Sequence, residues 1–141
     1  MRQEQFLVDA SALVRLTRDD TAIEMWGRQL TAGLLAVCPV TELEILYSAR
    51  SPAHRDELRT LLREAFTGVL VPDRVWERAA DVQAAMTDRG THRSAGPVDL
   101  LVAACAELLD LTLLHYDADF DAVAVVTGQR TRWLAEPGSI A

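Results

Sequence analysis

Short apolar runs and helix-period stretches take turns along this chain of 141 residues. Phe6–Val8, 34–37, 69–71, 111–114 and 131–134 read as strands. Between them, 21–30, 40–50, 52–66, 74–87, 97–109 and 119–126 carry helical patterns, and Ala10 to Leu13 open a further helix. In 52–66, Leu58, Leu61, Leu62 and Ala65 fall on one helical stripe, with Arg and Glu opposite. In 97–109 almost every side chain is apolar, which predicts a deeply buried helix, and Pro97 suits its first turn. Residues 88–96 form a polar loop. No internal repeat or low-complexity segment is present.

Strands that are mostly apolar rather than alternating are covered on both faces, and their alternation with helices implies parallel pairing. The pattern therefore predicts an α/β fold of three layers, a central, mainly parallel sheet flanked by helices. Residues 1–141 are expected to form one domain around one core. Sites in such folds form at the carboxyl ends of strands. Asp9 stands at that kind of place, directly after Phe6–Val8.

Composition narrows the setting. Half the residues are hydrophobic, yet no apolar run reaches the roughly 18 residues of a membrane span. The opening "MRQEQ" is polar and lacks a secretory stretch. A soluble, cytoplasmic protein without membrane association is expected. Cys38 and Cys105 sit in apolar surroundings with no metal-ligand spacing, and read as buried free thiols. His54, His92 and His115 are scattered, which argues against zinc. Net charge is −7, from 14 cations and 21 anions. That excludes a general nucleic-acid coating role but leaves room for an acidic metal site acting on nucleic acid. Every cation is Arg; with no Lys in the chain, chemistry that needs a catalytic lysine is excluded.

Acids gather at four plausible strand ends or helix starts. Asp9 follows the first strand; "CPVTELEIL" holds Glu42 and Glu44; "GPVDLLVAA" holds Asp99; "LLHYDADFD" holds Asp117, Asp119 and Asp121. Each also has a purely structural reading. Asp9 can cap a helix, Thr41 and Glu44 fit a capping box, Asp99 suits a helix N-terminus, and Asp117 or Asp119 can cap the last helix. Jointly the acids mean more. Carboxylates gathered on one sheet edge repel and raise one another's pKa unless a cation neutralises them. An all-oxygen ligand set favours Mg²⁺ or Mn²⁺, which serves phosphodiester hydrolysis by activating water and steadying the leaving oxygen.

"FLVDASAL", "VTELEILYSA", "VDLLVAACA" and "LLHYDADFD", in that order, resemble the four acidic motifs of PIN-domain ribonucleases, especially the toxins of VapBC-type toxin–antitoxin pairs. The resemblance spans essentially the whole chain, including the "TGQRTRWL" tail. It implies Asp9, Glu44, Asp99 and Asp117 as catalytic and metal-holding acids, with Asp119 beside the metal and Ser11 assisting through its hydroxyl. Glu42 is then the exposed neighbour of Glu44. His115 stands where many relatives carry Thr or Ser, so the hydrogen bonding around Asp117 departs from the pattern. The resemblance further implies a Mg²⁺- or Mn²⁺-dependent endoribonuclease acting on an RNA substrate, a homodimer, and restraint by a cognate VapB-type antitoxin. DNA would be bound only indirectly, through the antitoxin.

Arg15, Arg18, Arg50, Arg89 and Arg93 are candidates to hold RNA phosphates, or are simply solvated. Trp26, Trp76 and Trp133 fit core or interface roles better than base stacking. Three alternatives fail. A phosphorylation receiver domain needs a late Lys; a haloacid-dehalogenase-type phosphatase needs an Asp where Ser11 stands; no Walker or G-x-G-x-x-G loop occurs. The rival from another class is a catalytically inactive PIN-like protein-binding module, which the presence of all four acids does not suggest.

Overall fold

The computed structural model describes residues 3–141, so Met1 and Arg2 of the polar opening lie outside the described residues. Among these residues five strands, β1 (Phe6–Val8), β2 (Leu35–Val37), β3 (Thr67–Gly68), β4 (Thr112–His115) and β5 (Thr131–Trp133), form one sheet in the order β3-β2-β1-β4-β5. Every pairing is parallel. The chain builds outward from β1 through β2 to β3, then crosses to the other side of β1 for β4 and β5. The order reverses between β1 and β4, which is where open parallel sheets form their crevice.

Among the described residues seven helices cover the sheet: α1 (Ala10–Arg18), α2 (Asp20–Thr31), α3 (Pro39–Tyr47), α4 (Pro52–Ala65), α5 (Val75–Asp88), α6 (Pro97–Leu108) and α7 (Asp119–Thr127). The pleat of β1 sorts them. Leu7 points into a core with Met86, Leu100, Cys105 and Phe120 from α5, α6 and α7. Phe6 and Val8 point the other way, into Leu13, Leu16, Trp26 and Leu62 from α1, α2 and α4. Both faces of the sheet are therefore buried, as the apolar strands predict. α6 buries Leu100 and every residue from Val102 to Ala106. Among the described residues no helix is long and apolar enough to cross a membrane.

Several expectations need correction. The third strand is Thr67–Gly68, not 69–71: it pairs with Ala36 and Val37, and Leu70 beyond it is 89% exposed. Thr41 does not open a capping box. α3 begins after Cys38 with Pro39 in its first turn, and Thr41 lies fully buried inside the helix, 3.6 Å from the Cys38 thiol. Leu61 is 40% exposed, so the apolar stripe of α4 is only partly covered. Cys38 and Cys105 are buried free thiols as expected.

Candidate functional site

Asp9 leaves β1 at the topological reversal. Its N–H donates to Leu114 O at 3.0 Å, which carries the β1–β4 ladder one residue further. Its carboxylate caps α1, accepting from the N–H groups of Ser11 and Ala12, both at 3.2 Å. The capping reading is thus correct, yet it does not account for the burial. Asp9 is only 4% exposed, and burial lifts its pKa to about 6, against the hydrogen bonds from Ser11 and Ala12.

Ser11 ties this acid to the next strand. Its Oγ donates to Asp9 Oδ1 at 2.8 Å, with Oδ2 at 3.0 Å, and accepts from Tyr116 N–H at 2.8 Å. Arg15, one turn on, donates to Ser11 O at 2.8 Å and lays its guanidinium 4.3 Å from the centre of the Tyr116 ring. Arg15 is therefore a support of the Ser11 turn rather than an open phosphate ligand. The Tyr116 hydroxyl reaches the C-terminal segment, donating to Ile140 O and accepting from Ile140 N–H, both at 3.1 Å. No local pattern points to Tyr116, because its partners lie far away in the chain.

Asp117 follows β4. Its N–H donates to His115 Nδ1 at 3.2 Å, and its Oδ1 accepts from Asp119 N–H at 2.9 Å. His115 fills the departure from the resemblance. It is fully buried against Phe120 and Trp133, and burial lowers its pKa against the pull of Asp121 and Asp117. An accepting Nδ1 places the neutral ring's proton on Nε2, which has no partner among the described residues.

The other two acids come from helices. Asp99, in the first turn of α6, accepts from Gly96 N–H at 3.3 Å, so it too caps its helix. Glu44, on α3, is exposed and has no side-chain hydrogen bond among the described residues. Glu42 is not the exposed neighbour: it is half-buried and lines a cleft with Arg63 and Val37.

Asp99 is the electrostatic centre of the group. Burial raises its pKa, and the charges of Asp117 and Asp119 raise it further. Asp99 in turn raises both Asp9 and Glu44, in each case after burial. Asp119 is raised by burial and by Asp117. Acids from four segments thus feel one another on one sheet edge, and none of the ion pairs among the described residues involves them. Their side chains are not closed onto a centre: among the described residues no three of His, Cys, Asp and Glu form a ready-made ligand group. In charge and donor chemistry the residues fit a hard divalent cation.

The three tryptophans separate cleanly. Trp26 is core and donates to Leu134 O at 2.8 Å; Trp133 packs on His115 and Tyr116; Trp76 is 71% exposed on α5. Arg18, Arg50, Arg89 and Arg93 are exposed.

A PIN-domain family model matches residues 6–126, which contain all five acids. The chain is 43% identical over 135 residues to Ribonuclease VapC2 of Mycobacterium tuberculosis, covering 95% of both. The chain belongs to the VapC family of PIN-domain proteins. Ribonuclease VapC18 of the same organism is 36% identical over 137 residues, with 96% of this chain and 98% of that one covered. Solved structures carry the same PIN fold at low identity. DNA-bound VapBC from Salmonella typhimurium matches with a TM-score of 0.74 at 14% identity, covering 94% of this chain and 100% of that one. VapBC2 from Rickettsia felis, bound to a DNA fragment from its promoter, gives 0.76 at 11% identity over 91% and 97%.

Proposed function

We propose that this chain is a single-domain, Mg²⁺- or Mn²⁺-dependent endoribonuclease and the toxin of a VapBC-type pair, with Asp9, Glu44, Asp99 and Asp117 holding the cation and Asp119 beside it. The observation that carries the reading is the set of acids gathered around Asp99, uncompensated by any ion pair among the described residues, in a chain of the VapC family. When bound, a divalent cation supplies an activated water and charge stabilisation at the leaving oxygen. The chain's own part is positional. Ser11 orients the buried Asp9 carboxylate, and the His115–Asp117 hydrogen bond fixes the start of the β4 turn. Glu44 and Asp119, both exposed, can rotate toward the centre. In this reading the nucleophile is a water molecule and no covalent intermediate forms.

Two relatives in solved complexes are named VapBC, which supports a VapB-type antitoxin as partner, with DNA contacted through it. An acidic edge invites a basic antitoxin side chain that competes with the cation. Leu43 is 69% and Tyr47 92% exposed on successive turns of α3, and Leu61 is 40% exposed on α4, which packs on α3. That apolar surface supports a homodimer.

The test is cleavage of total RNA by the purified chain with Mg²⁺ or Mn²⁺, followed by mapping of the cut ends. Cleavage that EDTA stops and Asp9→Asn abolishes is the expected result. Absence of cleavage with either metal, in folded protein, overturns the reading.

A further inference from the structure

α4 carries three arginines along one flank. Arg55, Arg59 and Arg63 recur every four residues, so at 100° per residue they occupy an arc of about 80° along one flank. Asp56, Glu57 and Glu64 lie further round the outer surface, and Leu62 faces the core. All three arginines are exposed, and none takes part in an ion pair among the described residues.

The arrangement works against the helix. Arg55 with Arg59, and Arg59 with Arg63, are like-charge pairs at i,i+4, which destabilise a helix. Asp56 stands at i,i+3 from Arg59 yet forms no ion pair with it, and Glu57 and Glu64 stand on another face. In a chain of net charge −7, a flank of three unpaired cations runs against the average field. Local rules broken without a compensating internal contact point to a function. Successive arginines are displaced by about 6 Å along the helix axis, the scale of one nucleotide step. Arg63 at one end closes a cleft of about 150 Å³ with Val37, Glu42 and Gly68, beside the helix that carries Glu44.

We propose that Arg55, Arg59 and Arg63 form a rail that binds the phosphate backbone of single-stranded RNA alongside α3. The assignment rests on the ribonuclease reading above and adds where the substrate strand lies. The rail contacts phosphates and no base edges, so it sets affinity and path and leaves sequence choice to other residues.

The experiment compares the full chain with a triple Arg→Gln variant and a triple Arg→Lys variant at positions 55, 59 and 63. The probe is a fluorescently labelled single-stranded RNA in EDTA, so that nothing is cut, titrated over a range of salt. For single strands each phosphate contact contributes about 0.7 to the slope of log K against log salt. The Gln variant should lose about 2 from that slope and bind at least about tenfold more weakly at low salt. The Lys variant should keep most of the slope. Circular dichroism should show no loss of helix, since the change removes repulsion and no internal ion pair. Unchanged affinity and slope in the Gln variant overturn the rail while wild-type RNA cleavage leaves the nuclease reading intact. A wild-type chain that neither cuts nor binds RNA removes both. A Lys variant as weak as the Gln variant, or a Gln variant that loses antitoxin and not RNA, also overturns the rail.

Discussion

The β1–β4 side of the site and the α3–α6 side are built differently. On the first, Asp9 is buried and bonded to Ser11 and Ala12, Ser11 is tied to Tyr116, and Asp117 leans on His115. These links join two adjacent strands and an adjoining helix start. On the second, Asp99 has one long cap bond and Glu44 stands exposed. One side is organised before any ligand arrives; the other is held near by helix packing and is free to adjust. The difference is one of solvent. A carboxylate inside the sheet edge needs hydrogen bonds to be tolerated, whereas one on a helix surface is hydrated without them.

Removing an acid from each side should have the largest effect. Asp9→Asn and Asp99→Asn should both reduce RNA cleavage by more than the roughly 100-fold typical of changes to supporting residues. Only Asp9→Asn should also alter the metal-free stability strongly. Rates of cleavage with Mn²⁺ measure the first claim, and cleavage near wild type in either variant removes that acid from the site.

The supporting side can be weakened without touching a ligand. Ser11→Ala should lower metal affinity or activity about 10- to 100-fold, because it frees Asp9 and leaves Tyr116 N–H without its acceptor. Calorimetric titration with Mn²⁺ is the check; an unchanged Kd means that the backbone caps alone position Asp9.

Acidity gives a third test. Asp9 holds its proton up to about pH 6 in the folded chain, against 3.8 when unfolded. Between those values the folded state binds more protons, so this group's contribution to metal-free stability falls as pH rises and is flat above. The product (6 − 3.8) × 1.36 sets the cost at neutral pH at about 3 kcal/mol at most. His115 acts in the opposite sense. Its folded pKa is lowered, so its contribution is lost as pH falls below its ordinary value, but it is common to both proteins. Asp9→Asn in EDTA should therefore be stabilising at pH 7 and close to neutral at pH 4, read by urea denaturation. An equal effect at both pH values contradicts a protonated Asp9.

Cation binding should offset that cost. At one hundred times Kd, Mg²⁺ or Mn²⁺ should stabilise the fold by about 2.7 kcal/mol, and the gain should shrink on acidification through pH 6. A melting temperature indifferent to either ion counts against the site. The smallest effect is expected for Tyr116→Phe, which keeps the ring under Arg15 but frees Ile140. A small loss of stability should result, with little change in Mn²⁺ affinity. A large loss of affinity would extend the organised side of the site to the C-terminal segment.

The alternation of apolar runs and helical patterns was enough to place the α/β class, the parallel sheet and six of the helices to within a few residues. It did so because burial on both faces leaves its mark on every strand. The order of the acidic motifs pointed to the family, and the placement of Asp9 after a strand pointed to the sheet edge. The rest depends on contacts made across the fold. The third strand moved to Thr67–Gly68 because its partner β2, not its own hydrophobicity, sets the register. Glu42, expected to be exposed, is half-buried because helix rotation is fixed by packing on α4 and α6. The Ser11–Tyr116 and Arg15–Tyr116 contacts bridge about a hundred residues of chain. A local pattern carries no record of such contacts, since they exist only once β1 and β4 lie side by side.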